Sequence, residues 1–124
     1  MAEHNDWGRQ AEKIVMEYFL KNGYIIREQN WRPRSGHVEV DIITQKDNFI
    51  IFVEVKARQD SNYDPVDAVT DKKIRKLVRA ASSYLSAQEH EFEYRFDIVA
   101  VSGTPENFVL EHIEDAFLPP LNSL

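Results

Sequence analysis

Apolar residues recur at intervals of three and four near the start of the chain, at Trp7, Ala11, Ile14, Val15, Tyr18 and Phe19. This spacing places the side chains on one face of a helix, so we predict a helix over residues 6–22. Asn5 or Asp6 is the predicted N-terminal cap, because both side chains accept hydrogen bonds from free backbone N–H groups. Asn22 and Gly23 are expected to end the helix in a left-handed conformation.

Three strand patterns follow this helix. Residues 24–31 predict a first strand, and residues 33–36 predict a turn. Val38, Val40 and Ile42 alternate with polar residues and predict a second strand with these three side chains on one face. Residues 49–57 are almost continuously apolar and β-branched, which is typical of a central strand covered on both faces. The short connection at 46–48 predicts that the second and third strands form an antiparallel hairpin.

The rest of the chain predicts one more helix and two more strands. After a loop at 62–65, a helix begins at Val66 or Asp71 and ends near Ala87, and strands over 95–102 and 108–113 follow. This order predicts an α/β or α+β fold in which helices flank a single sheet. The length of 124 residues suits one domain spanning residues 1–124. We expect its ends, at about residues 1–5 and 119–124, to be flexible.

Composition excludes several classes of site. The chain has no cysteine, which rules out a disulfide scaffold, a thiolate zinc site, an iron–sulfur cluster and a thiol nucleophile. The net charge is −6, but residues 89–124 carry −7 whereas residues 1–88 carry +1. Binding of a polyanion by the first two thirds is therefore compatible with the acidity of the whole. No membrane span or signal peptide is apparent, so we expect a cytoplasmic protein.

Two charged residues interrupt the most apolar strand. Glu54 follows five apolar residues, and Lys56 comes two positions later, on the same face of the strand. Across the predicted hairpin, Asp41 lies opposite Glu54, with Cβ atoms expected about 4.5–5.5 Å apart. Two carboxylates at that distance repel each other unless a cation lies between them. Carboxylate, carbonyl and water oxygens suit Mg²⁺ or Mn²⁺. The alternative is an edge ion pair of Glu54 and Lys56, with Asp41 on a solvated face.

The second predicted helix contains five basic residues within eight positions: Lys72, Lys73, Arg75, Lys76 and Arg79. A helical wheel places most of them opposite the apolar stripe. Further arginines are expected near the acidic pair, at Arg27, Arg32, Arg34 and Arg58, and Trp31 and Tyr63 are candidates for stacking on bases. Such residues predict salt-sensitive phosphate binding that recognises shape over base sequence. An ordinary solvated helix face is the alternative.

These residues also form a known combination. The thirteen-residue step from Asp41 to Glu54-Val55-Lys56 resembles the PD-(D/E)XK nuclease signature, with Val40 where the signature has proline. The wider pattern resembles the YraN family of predicted endonucleases, which is related to archaeal Holliday-junction resolvases. The matching positions are Gly8, Ala11-Glu12, Asn30-Trp31-Arg32, Gly36, the segments 39–43 and 52–58, Lys73, Ala80-Ala81, Tyr84-Leu85 and Arg95-Phe96-Asp97. The match extends from Gly8 to about Phe117.

The resemblance implies a restriction-endonuclease-like fold, with core order α-β-β-β-α-β and a mixed sheet. It also implies hydrolysis of phosphodiester bonds in structured or branched DNA, with Mg²⁺ or Mn²⁺ as the cofactor. Asp41 and Glu54 would be the metal ligands, with the Val55 carbonyl as a third. Lys56 would orient or polarise the attacking water, and Glu12 would approach from the first helix.

The remaining expectations concern the nucleic acid and the neighbouring acids. The residues expected to contact nucleic acid are Arg32, Arg34, Arg58, Lys72, Lys73, Lys76 and Arg79. Glu12 flanks the apolar stripe, so the alternative is a boundary glutamate that pairs with Arg9 or Lys13. Glu39 is either a supporting acid beside Asp41 or a surface residue. Asp97 is interpreted as a structural hydrogen-bond acceptor, and the four histidines show no metal-ligand spacing.

Two other functions remain open at this point. One is a catalytically inactive DNA-binding or adaptor protein on the same fold, which the net charge and the compact size favour. The other is a structural protein whose acidic C-terminal third binds a basic partner, with residues beyond Pro119 contributing. Two-fold symmetric substrates are cut naturally by dimers, and this analogy predicts a homodimer.

Overall fold

Two helices and five strands form in the part of the chain that the computed structural model describes, which is residues 2–34, 36, 38–60, 65 and 69–117. Side chains are described from residue 6 onward. In chain order the elements are α1 (Ala2–Lys21), β1 (Ile25–Trp31), β2 (Val40–Lys46), β3 (Phe49–Arg58), α2 (Asp71–Ser86), β4 (Glu93–Thr104) and β5 (Asn107–Ile113). None of the described helices is both long enough and apolar enough to span a bilayer.

The five strands form one mixed sheet in the order β1-β2-β3-β4-β5. Strands β3 and β4 are parallel, and all other neighbours are antiparallel. Because parallel neighbours cannot be joined by a tight turn, the chain crosses from β3 to β4 through α2. The element order and the mixed sheet confirm the predicted single-domain α/β fold.

Each face of the sheet is covered by one helix. On the α1 side, Ala11, Val15 and Phe19 pack in a buried cluster with Ile51 and Val53 of β3. On the α2 side, the helix packs in a second cluster that contains the intervening β3 residues Ile50 and Phe52. The alternating side chains of β3 therefore enter both cores, which confirms that its continuous apolar run is a central strand.

The hairpin between β2 and β3 has the tight turn that the sequence predicts. Lys46 pairs with Phe49, so Asp47 and Asn48 alone form the turn, and Asp47 adopts a positive φ of 53°. A hairpin turn fixes the register of the strands it joins. The ladder then continues to the pair Ile42 and Val53, which sets the position of Asp41 and Glu54 beyond it.

The first helix differs from its predicted start. It begins at Ala2, so Asn5 and Asp6 lie within the helix and do not cap it. Alanine and glutamate have high helix propensity, which favours extension of the helix through residues 2 and 3. The predicted C-terminal end is confirmed, because Gly23 has a φ of +86° and the Tyr24 N–H donates to the Phe19 carbonyl at 3.0 Å.

The predicted common face of Val38, Val40 and Ile42 is wrong. Val38 and Val40 pack in the α2-side cluster, whereas Ile42 packs in the α1-side cluster. Strand β2 begins only at Val40, and its paired register with β3 begins at Ile42. The residues before Ile42 are therefore not paired with β3. Strict alternation of side chains between the two faces is expected only where a strand is paired on both sides.

Thr70 sets the position of α2. Its side-chain oxygen accepts the backbone N–H of Lys73 at 3.2 Å, so α2 begins at Asp71. The alternative start at Val66 lies outside the described residues, as does most of the predicted loop at 62–65.

Loss of this cap gives a first prediction. We expect Thr70→Ala to lower the free energy of unfolding by about 1 kcal/mol, because the hydrogen bond to the helix end is lost. Urea denaturation measures this change. Thr70→Ser retains the hydroxyl group and should remain within about 0.5 kcal/mol of the original protein; an equal loss in both variants would contradict a capping role.

Candidate active site

Asp41 and Glu54 are brought together where the β2–β3 ladder ends. They are the next residues after the last paired positions, Ile42 and Val53. The Asp41 Oδ2 atom accepts the backbone N–H of Val55 at 2.9 Å. The carboxylate therefore substitutes for a strand carbonyl and lies against the main chain between Glu54 and Lys56. The position of Asp41 opposite Glu54, predicted from the turn, is confirmed.

Glu54 is the most deeply buried acid of this region, with only 4% of its surface exposed. Its Oε2 atom forms ion pairs with the Nζ atoms of Lys73 and Lys56, the latter at 3.4 Å. Its Oε1 atom is buried and has no hydrogen-bond partner among the described residues. Such an oxygen is costly to desolvate and is suited to accept an incoming cation or donor.

Negative charge accumulates at this point of the fold. Burial, followed by the nearby charge of Glu54, raises the pKa of Asp41 to about 7, although the Val55 N–H opposes the change. The negative charge of Glu12 also raises the pKa of Asp41, whereas the positive charge of Lys73 lowers it. Burial also raises the pKa of Glu12, and the charges of Glu39 and Glu54 add to that effect. The site therefore favours positive charge beyond that of its two lysines.

Glu12 approaches from α1, as the resemblance implies. It is half-buried, and its Oε1 atom accepts a hydrogen bond from Asn30 Nδ2 at 3.1 Å. The same Asn30 nitrogen lies 3.4 Å from Glu39 Oε2. Asn30 has a positive φ of 50° at the end of β1, which brings its amide between these two acids. Sequence reasoning did not assign this role, although Asn30 belongs to the Asn-Trp-Arg segment of the resemblance.

A cleft of about 540 Å³ opens beside Asp41. It lies between the segments that flank β1 and β2 and the N-terminal turns of α2. Its lining residues are Arg32, Val38, Glu39, Asp41, Thr70, Lys72, Lys73 and Lys76. Four cations thus line the cleft together with the carboxylates of Glu39 and Asp41, and basic side chains of this kind can stabilise a phosphate group.

The donor chemistry of this site fits a hard divalent cation. Asp41 and Glu54 provide carboxylate oxygens, and the unpartnered Glu54 Oε1 atom provides a free acceptor. Among the described residues, no group of three or more acidic or histidine side chains is arranged to hold a metal ion. A cation here would therefore depend on the two carboxylates, backbone oxygen such as the Val55 carbonyl, and water.

The predicted nucleic-acid residues separate into two groups. Arg32, Lys72, Lys73 and Lys76 line the cleft, and Arg32 forms an ion pair with Glu39 at 3.2 Å. The other three are not among its lining residues: Arg34 is exposed after β1, Arg79 is exposed farther along α2, and Arg58 is half-buried at the end of β3. The Arg58 carbonyl accepts the Trp7 indole N–H at 3.0 Å.

Two residues expected near the site are part of the packed structure. The Arg27 guanidinium donates to Tyr84, Gln45 and Gln88, each at 2.7 Å. Trp31 packs edge-on against Tyr84, with ring centroids 5.2 Å apart. Both residues contact Tyr84 of α2, a packing role that the sequence analysis did not assign to them. Tyr63 lies outside the described residues.

Lys73 differs from the other basic residues of α2. It precedes Ile74, the first buried residue of that helix, by one position, or about 100° on the helix surface. This rotation directs its amine toward Glu54 and away from the exposed row. The helical wheel contained this signal, but only the position of β3 shows that an acid lies there.

Asp97 has the structural role that the sequence predicts. It is fully buried, and it accepts hydrogen bonds from Arg95, His112 and the Asp115 backbone N–H. His112 also contacts the Tyr18 hydroxyl at 2.8 Å. The residues of this cluster do not overlap with those of the cleft.

Residues 11–101 match the model of the uncharacterised protein family UPF0102. The chain belongs to the UPF0102 family. A UPF0102 protein of Bacteroides fragilis is 45% identical over 122 residues, covering 98% of this chain and 99% of the relative. A UPF0102 protein of Bacteroides thetaiotaomicron is 43% identical over 122 residues, covering 98% of this chain and 99% of the relative. A UPF0102 protein of Flavobacterium psychrophilum is 43% identical over 118 residues, covering 94% of this chain and 98% of the relative.

UPF0102 is the YraN family, so the resemblance is confirmed at the level of the family. The names of these UPF0102 relatives state membership and no reaction. The activity must therefore be argued from the site itself.

Proposed function

We propose that this UPF0102 protein is a divalent-metal-dependent endonuclease that hydrolyses phosphodiester bonds in structured or branched DNA. The observation that supports the proposal most is the convergence on Glu54. This buried carboxylate, with one oxygen unpartnered, lies beside Asp41 and is contacted by two lysines at the edge of a basic cleft.

In this proposal Asp41, Glu54 and the Val55 carbonyl hold Mg²⁺ or Mn²⁺. When bound, the cation polarises the phosphate and favours ionisation of the attacking water. Lys56 is anchored at its strand position by Glu54, with its amine at 3.4 Å from Oε2. From there it orients the water and stabilises negative charge that develops on the phosphate oxygens. Glu12, held by Asn30, adds an acid on the α1 side.

The basic residues of the cleft position the DNA. Arg32, Lys72 and Lys76 bind backbone phosphates, so the affinity should fall steeply as salt concentration rises. Phosphate contacts carry no base information, which supports recognition of DNA shape. The resemblance to junction resolvases supports a branched DNA substrate. The two-fold symmetry of such a substrate supports a homodimer.

Cleavage assays test this proposal. Purified protein is incubated with branched, flapped and linear DNA, and with RNA, in Mg²⁺, Mn²⁺ or EDTA. We expect metal-dependent cleavage of the branched DNA, and a loss of about 10²–10³-fold or more in Glu54→Gln and Lys56→Met. Glu28→Gln and Lys21→Met change exposed residues of β1 and α1 and should retain full activity.

Two results of these assays would contradict the proposal, provided that the proteins are folded. Circular dichroism and thermal melting establish that each variant is folded. Absence of cleavage across all substrates and metals, in folded protein that binds DNA, would overturn the endonuclease proposal. Cleavage that persists unchanged in folded Glu54→Gln would overturn the assignment of the site.

One observation favours a second function, a catalytically inactive DNA-binding protein on the same fold. Glu54 is already neutralised by Lys56 and Lys73, and the described residues contain no three-ligand metal group. Salt-dependent DNA binding that survives Glu54→Gln, together with no cleavage by any form of the protein, would support it.

A further inference from the structure

Glu54 has two lysine partners that reach it from different elements. Lys56 belongs to β3, two residues from Glu54, and 21% of its side chain is exposed. Lys73 belongs to the first turns of α2, and 37% of its side chain is exposed while that of Glu54 is 4% exposed. Lys73 therefore extends from the open cleft into the buried carboxylate, whereas Lys56 shares the strand of its partner.

The Lys73 amine contacts an oxygen atom that would otherwise be available to coordinate the cation. It contacts Glu54 Oε2, an oxygen of one of the two carboxylates expected to hold the cation. An ammonium group and a divalent cation at one carboxylate repel each other strongly in a desolvated site. The Lys73 ammonium therefore opposes binding of the cation at Glu54, including at its unpartnered Oε1 atom, and departure of Lys73 from Oε2 relieves this repulsion.

The structure also provides a place for the displaced amine. Lys73 lines the same cleft as Lys72, Lys76 and Arg32. Its flexible four-carbon stem allows the amine to turn from Glu54 toward the cleft without movement of the helix. A phosphate group bound in the cleft would attract it there.

We propose that Lys73 is an internal counter-ion that exchanges places with the cation, so that cation binding and polyanion binding strengthen each other. Without either ligand, Lys73 neutralises Glu54. A polyanion draws Lys73 into the cleft and frees Glu54 for the cation, and the cation in turn releases Lys73 to the polyanion. Such coupling is reciprocal by thermodynamic necessity. This inference rests on the proposed function, and it assigns Lys73 a regulatory and positioning role beyond it.

Titration calorimetry with Mn²⁺ alone tests whether Lys73 competes with the cation for Glu54. We expect Lys73→Met to bind Mn²⁺ about tenfold more tightly than the original protein, because the competing charge is gone. Lys73→Gln keeps a hydrogen-bond donor toward Glu54 without the charge and should behave similarly. Lys72→Met is the matched control, since Lys72 lines the same cleft and has the same charge, and among the described contacts it has no ion pair with Glu54.

The coupling between polyanion binding and cation binding is tested with a DNA duplex whose phosphorothioate linkages resist cleavage. With this duplex bound, we expect the Mn²⁺ affinity of the original protein to rise about fivefold or more, within the ordinary range of coupling. The rise should fall below about twofold in Lys73→Met, because the amine that links the two ligands is missing. Heats from the duplex with Mn²⁺ alone are subtracted.

The outcomes separate this inference from the proposed function. If Mn²⁺ binds the original protein but Lys73→Met gains no more affinity than Lys72→Met, the counter-ion exchange is overturned. A purely structural Lys73 would give that result together with a lower melting temperature. If neither the original protein nor Lys73→Met binds Mn²⁺, both the metal-dependent function and this inference are overturned.

Discussion

Replacement of Asp97 with asparagine is expected to lower the free energy of unfolding by about 3–5 kcal/mol at neutral pH, the range for removing one partner from a buried ion pair. Asp97 is fully buried, and all its described contacts are donors. An asparagine cannot accept at both positions, and its amide nitrogen would face other donors. The loss therefore includes unsatisfied hydrogen bonds as well as lost charge pairing.

The contacts of Asp97 join distant parts of the chain. Oδ1 accepts from Arg95 Nε at 2.9 Å and from the Asp115 N–H at 3.0 Å. Oδ2 accepts from His112 Nε2 at 2.7 Å, which directs the other ring nitrogen toward the Tyr18 hydroxyl on α1. One carboxylate thus connects β4, the end of β5 and the first helix.

The effect should depend on pH in a defined direction. Burial alone would raise the pKa of Asp97, but the bonds from His112, Arg95 and the Asp115 N–H outweigh it and hold that pKa below its ordinary value. A lowered pKa stabilises the folded protein above the unfolded-state pKa of about 4, and this stabilisation is lost as pH falls through the folded-state pKa. The difference between the original protein and Asp97→Asn should therefore be largest near neutral pH and decrease in acid.

Urea denaturation at pH 7 and at successively lower pH values below about 4 measures this difference. Asp115→Asn is the matched control, because Asp115 contributes its backbone N–H and has a φ of +51° that asparagine tolerates. It should remain within about 0.5 kcal/mol of the original protein. A loss below about 1 kcal/mol for Asp97→Asn at pH 7 would contradict a central role for this cluster.

Replacement of Asp41 with asparagine is expected to have the opposite effect on stability. Without added metal at pH 8, Asp41→Asn should be more stable than the original protein by about 2–3 kcal/mol. Asparagine retains an oxygen for the Val55 N–H but has no charge to repel Glu54 and Glu12. The same change should abolish cleavage, because it removes a proposed metal ligand.

The raised pKa of Asp41, about 7, determines the sign of this pH dependence. Below about pH 4 Asp41 is protonated in both the folded and unfolded states, and the two proteins should be equally stable. Between about pH 4 and pH 7 the unfolded state ionises while the folded state retains its proton, so the original protein loses stability as pH rises. The advantage of Asp41→Asn should therefore appear over this interval and remain constant above it.

Thermal and urea unfolding from pH 4 to pH 8 measure the advantage, with and without Mg²⁺. Mg²⁺ should reduce it, because a cation stabilises the ionised site only in the original protein. Asp47→Asn changes an exposed residue in the turn of the same hairpin and serves as the control. If Asp41→Asn were the less stable protein at pH 8, the electrostatic description of the site would be wrong.

The central features of the fold follow from local patterns. The continuous apolar run of β3 predicts burial on both faces, because only a strand between two layers hides every side chain. The short turn at Asp47 and Asn48 places Asp41 opposite Glu54, because the length of a hairpin turn determines its register. These two local patterns are sufficient to locate the acidic pair within the sheet.

The surroundings of that pair were less predictable. The charge pattern of α2 indicates a basic helix, but it does not show that Lys73 reaches Glu54 while Arg79 lies outside the cleft. Arg27 was expected near the site and instead binds Tyr84, Gln45 and Gln88. A long side chain can extend in several directions, and the choice depends on which acceptors the other elements bring within reach.

The sequence by itself therefore determined the α/β class and the pairing of Asp41 with Glu54, since each depends on residues within one strand, one helix or one tight turn. The resemblance of motifs spread along the chain added the family and the mixed sheet. Only the tertiary structure decided which cation neutralises Glu54, that Asn30 holds Glu12, and that Asp97 joins His112 and Tyr18. The last of these contacts, between Tyr18 and His112, spans 94 positions of the chain. Contacts at such separations depend on how helices and strands pack, which no local spacing of residues specifies.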